Sequence, residues 1–278
     1  MSARSGQGDS ITTVLDEAES LVGALATGPW LAFLWCTAVP LRFLQAHFFE
    51  RALSLGSDAE RFATYLGELS VFIGVTFLVA AAGRAIFARA CGLAHASGDL
   101  PGREALSLAP GPFANYLYVL LVLELLSLLS AVLVITLPIL VMLGGLATAT
   151  WERSGPPHPF RPLARLATHT RRLRVLFGIN IVWFFATAVA GLNVWMLFLV
   201  LPMLANAFGA DPGPWMQRLG MTNPALPWLA LGGAWLIVEP FFIASHVVFA
   251  RGLESRRRGD DLKRRLGRLA PTEEAAST

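Results

Sequence analysis

From Leu226 to Phe249 the chain is apolar with one charged residue, Glu239, set directly before Pro240. From Arg251 to Arg268 it turns abruptly basic. A helix needs about 20 apolar residues to cross the roughly 30 Å hydrocarbon layer of a bilayer. A basic flank marks the side that stays in the cytoplasm. This stretch therefore fixes one end of a membrane topology, and the rest can be counted back from it.

Composition agrees. The chain has 278 residues, 55% of them hydrophobic and 15% charged, and a mean hydropathy of +0.57. Soluble domains carry about 25% charged residues. A soluble helical protein would also need polar faces at helical spacing. Asn115–Thr150 and Val175–Phe208 lack them. The expected fold class is all-α: a polytopic transmembrane helical bundle.

Charge is segregated. Of 22 lysines and arginines, 14 fall in two blocks, Arg153–Arg174 and Arg251–Arg268. Basic blocks that each flank an apolar run are explained by the positive-inside bias and by anionic lipid, so no nucleic-acid partner is expected. The basic face comprises Arg161, Arg165, Arg171, Arg172, Arg174, Arg256, Arg257 and Arg258. Cys36 and Cys91 fall at different depths, which argues against a disulfide. The polar, acidic first 20 residues contain no apolar core of a cleavable signal.

In chain order, residues 1–10 read as a disordered N-terminus. Ile11–Ala26 has apolar residues at helical spacing and reads as an amphipathic helix on the membrane surface or against the bundle. Gly28–Phe49 is the expected first span and Leu69–Ala90 the second, joined by a loop over Glu50–Glu68. Arg42 and Arg84 fall within snorkelling reach of the span ends. A second loop is expected over Cys91–Gly111. Phe113–Thr150 is too long for one crossing. Two crossings with a break between Ser130 and Pro138 put both basic blocks on one side, and the second limb is short, tilted or re-entrant. Pro162–Leu173 reads as an interfacial helix. Val175–Phe208 must cross once by parity, with a break near Gly191–Asn193 as the competitor. Asp211–Gly220 reads as a short interfacial helix. The total is six crossings with both termini cytoplasmic: one transmembrane domain over 11–250 and a basic cytoplasmic tail over 251–278.

Two carboxylates, Glu124 and Glu239, lie near the middle of apolar helices. An ionised side chain there costs at least about 2.5 kcal/mol, so each should face protein or water, or be protonated. At 100° per residue Tyr116, Glu124 and Ser127 share one stripe. Trp228, Gly232, Trp235, Glu239, Phe242 and His246 share another. Pro240 should free the carbonyl near Leu236. A midplane site for a proton, ion or headgroup would draw on Glu124, Glu239, Asn180, Asn193 and His246. The alternative is interhelical hydrogen bonding that fixes the bundle, worth about 0.6 kcal/mol per contact. Neither glutamate has a second ionisable partner at a recognisable spacing. Motifs of metalloproteases, serine hydrolases, P-loop enzymes and intramembrane proteases are missing from the sequence. The histidines have no metal-ligand spacing. No cofactor, metal or catalytic residue is expected.

Six pieces carry a resemblance: VLDEA around Leu15, GRAIFAR at Gly83–Arg89, LPILVML at Leu137–Leu143, LNVWMLFLVLPML at Leu192–Leu204, MTNPAL at Met221–Leu226, and VEPFFIASHVVFARGLESRRRGDDLKRRL from Val238. In order and spacing the chain resembles uncharacterised bacterial multi-pass membrane proteins encoded beside transglutaminase-like proteins and MoxR-type ATPases. It is more loosely similar to the membrane domain of some glycerophosphodiester phosphodiesterases. The resemblance implies the bacterial inner membrane and supplies no catalytic residues. The bilayer, and other membrane proteins of an envelope complex, are the expected partners. Three functions remain open: an accessory or scaffold component of a cell-envelope system, a transporter or channel with a midplane carboxylate site, and a membrane-embedded enzyme acting on lipid.

Overall fold

A computed structural model describes residues 10–55, 59–130, 136–153, 170–209 and 225–257, together with Phe160, Asp211 and Gly213. Among the described residues there are seven α-helices and no strand: α1 Ile11–Ala26, α2 Trp30–Leu55, α3 Ala59–Ser97, α4 Pro110–Ser130, α5 Leu137–Ala149, α6 Thr170–Ala207 and α7 Ala225–Arg257. Four of them, α3, α4, α6 and α7, are long and apolar enough to cross a membrane, and the bent pair α1–α2 makes a fifth candidate.

The stretch that opened the sequence analysis is the hub. Helix α7 touches α1, α2, α3, α5 and α6. Its neighbours approach closely where side chains are small. Gly83 on α3 faces Thr37 of α2, Gly145 on α5 faces Phe242 and His246, and Gly233 on α7 faces Val194 of α6. The inward face of α3 is built from Ala80, Ala81, Ala85, Ala88 and Ala94. In lipid, helices associate through such close van der Waals contact, because burying apolar surface away from acyl chains gains little.

Neighbouring limbs alternate in direction. Helices α6 and α7 are antiparallel: Asn180 meets His246, Trp183 meets Ser245, and Gly191 faces Ala234. Helices α4 and α5 form a hairpin, with Tyr116 Oη 3.0 Å from Thr148 Oγ1 and Phe113 edge-on to Trp151. The run Phe113–Thr150 thus doubles back as expected. Its return limb has 13 residues, about 20 Å at 1.5 Å per residue, well short of the hydrocarbon layer. Residues 131–135, where the break was expected, lie outside the described residues.

Several expectations change. The first span, α2, runs on to Leu55, past the expected end at Phe49, and the chain bends by 95° between α1 and α2. Pro29 has no N–H to donate and disfavours helical backbone at Gly28, so the chain turns there. The amphipathic α1 packs Val14, Ala18, Leu21, Val22 and Leu25 into the bundle. Helix α3 is far longer than Leu69–Ala90. It takes in Ala59–Glu68 of the first expected loop and Cys91–Ser97 of the second, and ends at Gly98, whose φ of 81° suits a glycine cap. Helix α6 runs unbroken through Gly191–Asn193, as the preferred single crossing there requires and not as its broken competitor does. Cys36 is exposed, Cys91 is buried, and both are free. The expected interfacial helices over Pro162–Leu173 and Asp211–Gly220 lie, in large part, outside the described residues. So do the N-terminal segment 1–9 and the tail beyond Arg257.

The α2–α3 contact gives a test. Thr37 Oγ1 donates to the carbonyls of Phe33 and Leu34, so it is held where a Cβ on Gly83 would sit. Gly83→Ala should cost about 1–3 kcal/mol by overpacking. Gly74→Ala, which meets nothing within 4 Å, should leave the thermal midpoint in detergent unchanged.

Candidate functional site

Glu239 sits on the inward face of α7, in the middle of the hub helix, with 1% of its surface exposed. Its Oε1 accepts from Arg84 Nε of α3 at 2.5 Å. Arg42 Nη2 of α2 lies 3.9 Å from the same oxygen. The carboxylate thus has two guanidinium partners from two different helices, and both arginines are mostly buried. Arg42 also donates to Gln45 Oε1 at 2.8 Å and lies over the Trp235 ring, 5.8 Å from its centroid. Gly232 leaves room for the Arg42 Cβ. The Trp235 indole N–H closes no hydrogen bond with the carboxylate. Three buried polar atoms therefore gather here without a hydrogen-bond partner among the described residues: Arg42 Nε, Trp235 Nε1 and Glu239 Oε2.

This overturns the expectation that Arg42 and Arg84 snorkel to headgroups, and it gives Glu239 ionisable partners that no motif or spacing in the sequence marks. Helix α3 continues 13 residues past Arg84, about 20 Å, so the side chain cannot reach its end. Arg42 is the thirteenth of 26 residues in α2. A usable signal was present. Arg84 stands in AAAGRA, and a run of small residues marks the inward face of a membrane helix.

The freed carbonyl expected before Pro240 is real and has a partner. Trp35 Nε1 of α2 donates to Leu236 O at 2.8 Å. The proline that interrupts the α7 ladder thereby creates a cross-helix bond beside the ion cluster.

The other expected site residues do not join Glu239. His246 and Asn180 come together further along α7. His246 Nδ1 meets Phe242 O at 2.8 Å, and Asn180 Nδ2 lies 3.4 Å from Nε2 and donates to Leu176 O. A neutral imidazole with its proton on Nδ1 satisfies both contacts. Trp183 Nε1 donates to Ser245 Oγ beside them. This seam ties α6 to α7. Among the described residues Glu124, exposed on α4, is close to Ser127, and it lies within electrostatic reach of Arg84 and Arg42. Tyr116, expected on the same stripe, is fully buried. Asn193 is exposed and donates to Val189 O of its own helix. Arg174 is exposed at the start of α6, with Arg171 and Arg172 in the same first turn. Arg256 and Arg257 close α7. Arg161, Arg165 and Arg258 lie outside the described residues. Among the described residues no group of three or more His, Cys, Asp and Glu could hold a metal ion.

A second ionic layer lies at the end of the bundle where α3, α5 and α7 finish. Arg89 Nη1 pairs with Glu152 at 2.9 Å, and Arg153 pairs with Glu254. Trp151 is buried and donates to Ala85 O.

Compared with protein-family models, curated proteins and solved structures, the chain shows no match. The class is defined by physics alone: apolar helices compatible with an integral membrane protein, in contact with a lipid bilayer. An all-helical chain with two buried arginines on one glutamate has its polar interior inside that bundle.

Trp35→Phe removes the only hydrogen bond that Leu236 O gains from α2 and should destabilise the protein by about 1–3 kcal/mol. Adding Pro240→Ala, which restores the N–H that reaches Leu236 O, should recover part of that loss in the same unfolding measurement.

Proposed function

We propose that the chain is a non-enzymatic integral protein of the bacterial inner membrane, an accessory or scaffold component of a cell-envelope system. The observation that carries this reading is the closed state of Glu239. A carboxylate already paired with two arginines across three helices is suited to holding those helices together. A proton carrier needs a carboxylate that can be released and recharged at modest cost, and this one has two cations fixed beside it. The placement in an envelope system rests on the resemblance described above. The outward apolar surface fits a lipid-embedded neighbour of other membrane proteins: 6% of the apolar window of α6 is buried.

The proposed topology is six crossings with both termini cytoplasmic. The alternating limbs support it, as does the gathering of Arg89, Glu152, Arg153 and Glu254 at one end, beside both basic blocks. Single cysteines at Ser57 and Ser154 should label from opposite sides of sealed vesicles, and labelling from one side contradicts the threading.

A transporter or channel is the second reading. It is favoured by the three unpartnered polar atoms around Glu239 and by Glu124 within electrostatic reach of Arg42 and Arg84. Proteoliposomes decide between the two. The accessory reading expects wild type and Glu239→Gln to conduct protons and small ions no faster than protein-free vesicles. It also expects mild-detergent purification from the native host to retain stoichiometric membrane partners. A wild-type flux abolished by Glu239→Gln at unchanged thermal stability establishes transport instead. An enzyme acting on lipid would need a polar cavity open to one leaflet near His246 or the arginine clusters.

A further inference from the structure

Helix α4 carries a charge that the bundle leaves uncovered. Arg42, Arg84 and Glu239 are mostly buried and meet one another. Glu124 is exposed, and among the described residues its contact is Ser127 of its own helix, with no ion pair. Arg42 and Arg84 lie within electrostatic reach of it, but Arg84 is bound to Glu239 and Arg42 to Gln45. Phe113 packs on Trp151 at the end of the bundle, next to the Arg89–Glu152 pair. Glu124 is 11 residues further along α4, about 16 Å by helix rise, close to halfway through a hydrocarbon layer of roughly 30 Å. An ionised side chain turned to acyl chains at that depth is costly, and such residues almost always face protein.

The side chains around Glu124 form a packing face. Ala114, Tyr118, Leu121 and Leu125 are exposed at spacings of 4, 3 and 4. That is the repeat by which two helices interlock with a left-handed crossing, the commoner geometry in membranes. Phe160 packs edge-on against Tyr118, and Leu121, Glu124 and Leu125 lie further along the helix. Glu124 immediately precedes Leu125, at the flank of the seam, where charges choose the partner. A leucine face with one carboxylate matches an apolar helix with one cation. We propose that this face of α4 docks a transmembrane helix of another membrane protein, one that presents a lysine or arginine to Glu124. A second copy of this chain is a poorer match, because a symmetric dimer through α4 brings two carboxylates to the same depth. This docking rests on the accessory reading and supplies its contact surface.

The labelled full-length protein is reconstituted in phosphatidylcholine vesicles with labelled leucine helices of about 20 residues, one carrying a central arginine and one all leucine. Energy transfer reads association. The arginine helix should associate with wild type about tenfold more tightly than the leucine helix, and Glu124→Leu should abolish the difference. Leu121→Ala with Leu125→Ala keeps the carboxylate and removes the seam, so it should weaken the arginine helix several-fold as well. Moving the carboxylate to the exposed face of α6, by Glu124→Leu with Val189→Glu, should not restore association. Equal association of the two helices, or full restoration by the displaced carboxylate, overturns the proposal. So does association of labelled copies with one another that depends on Glu124, which assigns the face to a second copy. In native-host membranes a photocrosslinker at Leu121 should join the chain to a span holding a lysine or arginine. Partners that co-purify without crosslinking at Leu121 overturn this docking and leave the accessory reading standing, whereas a preparation without any partner overturns both.

Discussion

Everything in this bundle is arranged around one ionised contact inside apolar surroundings, Arg84 with Glu239. A lone charge at that depth would be costly, and the two solve each other's problem at 2.5 Å. Arg42 then leaves the cluster with one surplus positive charge, which its partial exposure, its bond to Gln45 and its place over Trp235 make tolerable. The contact also dictates the packing. Three helices must approach closely enough for their side chains to meet on α7. That is why Gly83, Gly232 and the alanine face of α3 occur at this depth. The Trp35 bond to Leu236 O falls in the same zone, because Pro240 follows Glu239 directly.

Below the cluster the interior changes character in layers. About 10 Å further along α7, by helix rise, the His246–Asn180 seam uses neutral hydrogen bonds to tie in α6. At the helix ends ion pairs return. A charged layer at mid-depth, a neutral layer, and a charged layer at the surface together link α7 to α2, α3, α5 and α6. The α4–α5 hairpin closes the side with its own buried Tyr116–Thr148 bond.

Much of this could be read from the chain, and what escaped has physical causes. Apolar run lengths gave the all-helical membrane class. The charge blocks gave the doubling back of Phe113–Thr150, and Pro240 gave the freed carbonyl. Burial of Glu239 and His246 followed from the α7 stripe. The partners of Glu239 did not follow, because they lie 155 residues away in sequence for Arg84 and on another helix again for Arg42. Span ends were also set by where polar residues begin, whereas α3 carries its helix through Glu60, Arg61 and Glu68 and on to Ser97. With those ends misplaced, Arg84 looked close to the headgroups. Glu124 is expected to face protein or water, but periodicity on one helix does not say which face meets protein, and its side chain is exposed.

The account stands on the Arg84–Glu239 contact being a structural pin. A double-mutant cycle in a bilayer mimic measures this directly. Arg84→Leu and Glu239→Leu should each destabilise strongly, by about 3–5 kcal/mol, because each strands a buried charge. The double variant should recover most of that loss and give a coupling energy well above the scatter of independent sites, about 0.5 kcal/mol. Two mild single variants whose effects simply add would contradict the claim that this ion pair holds the bundle together.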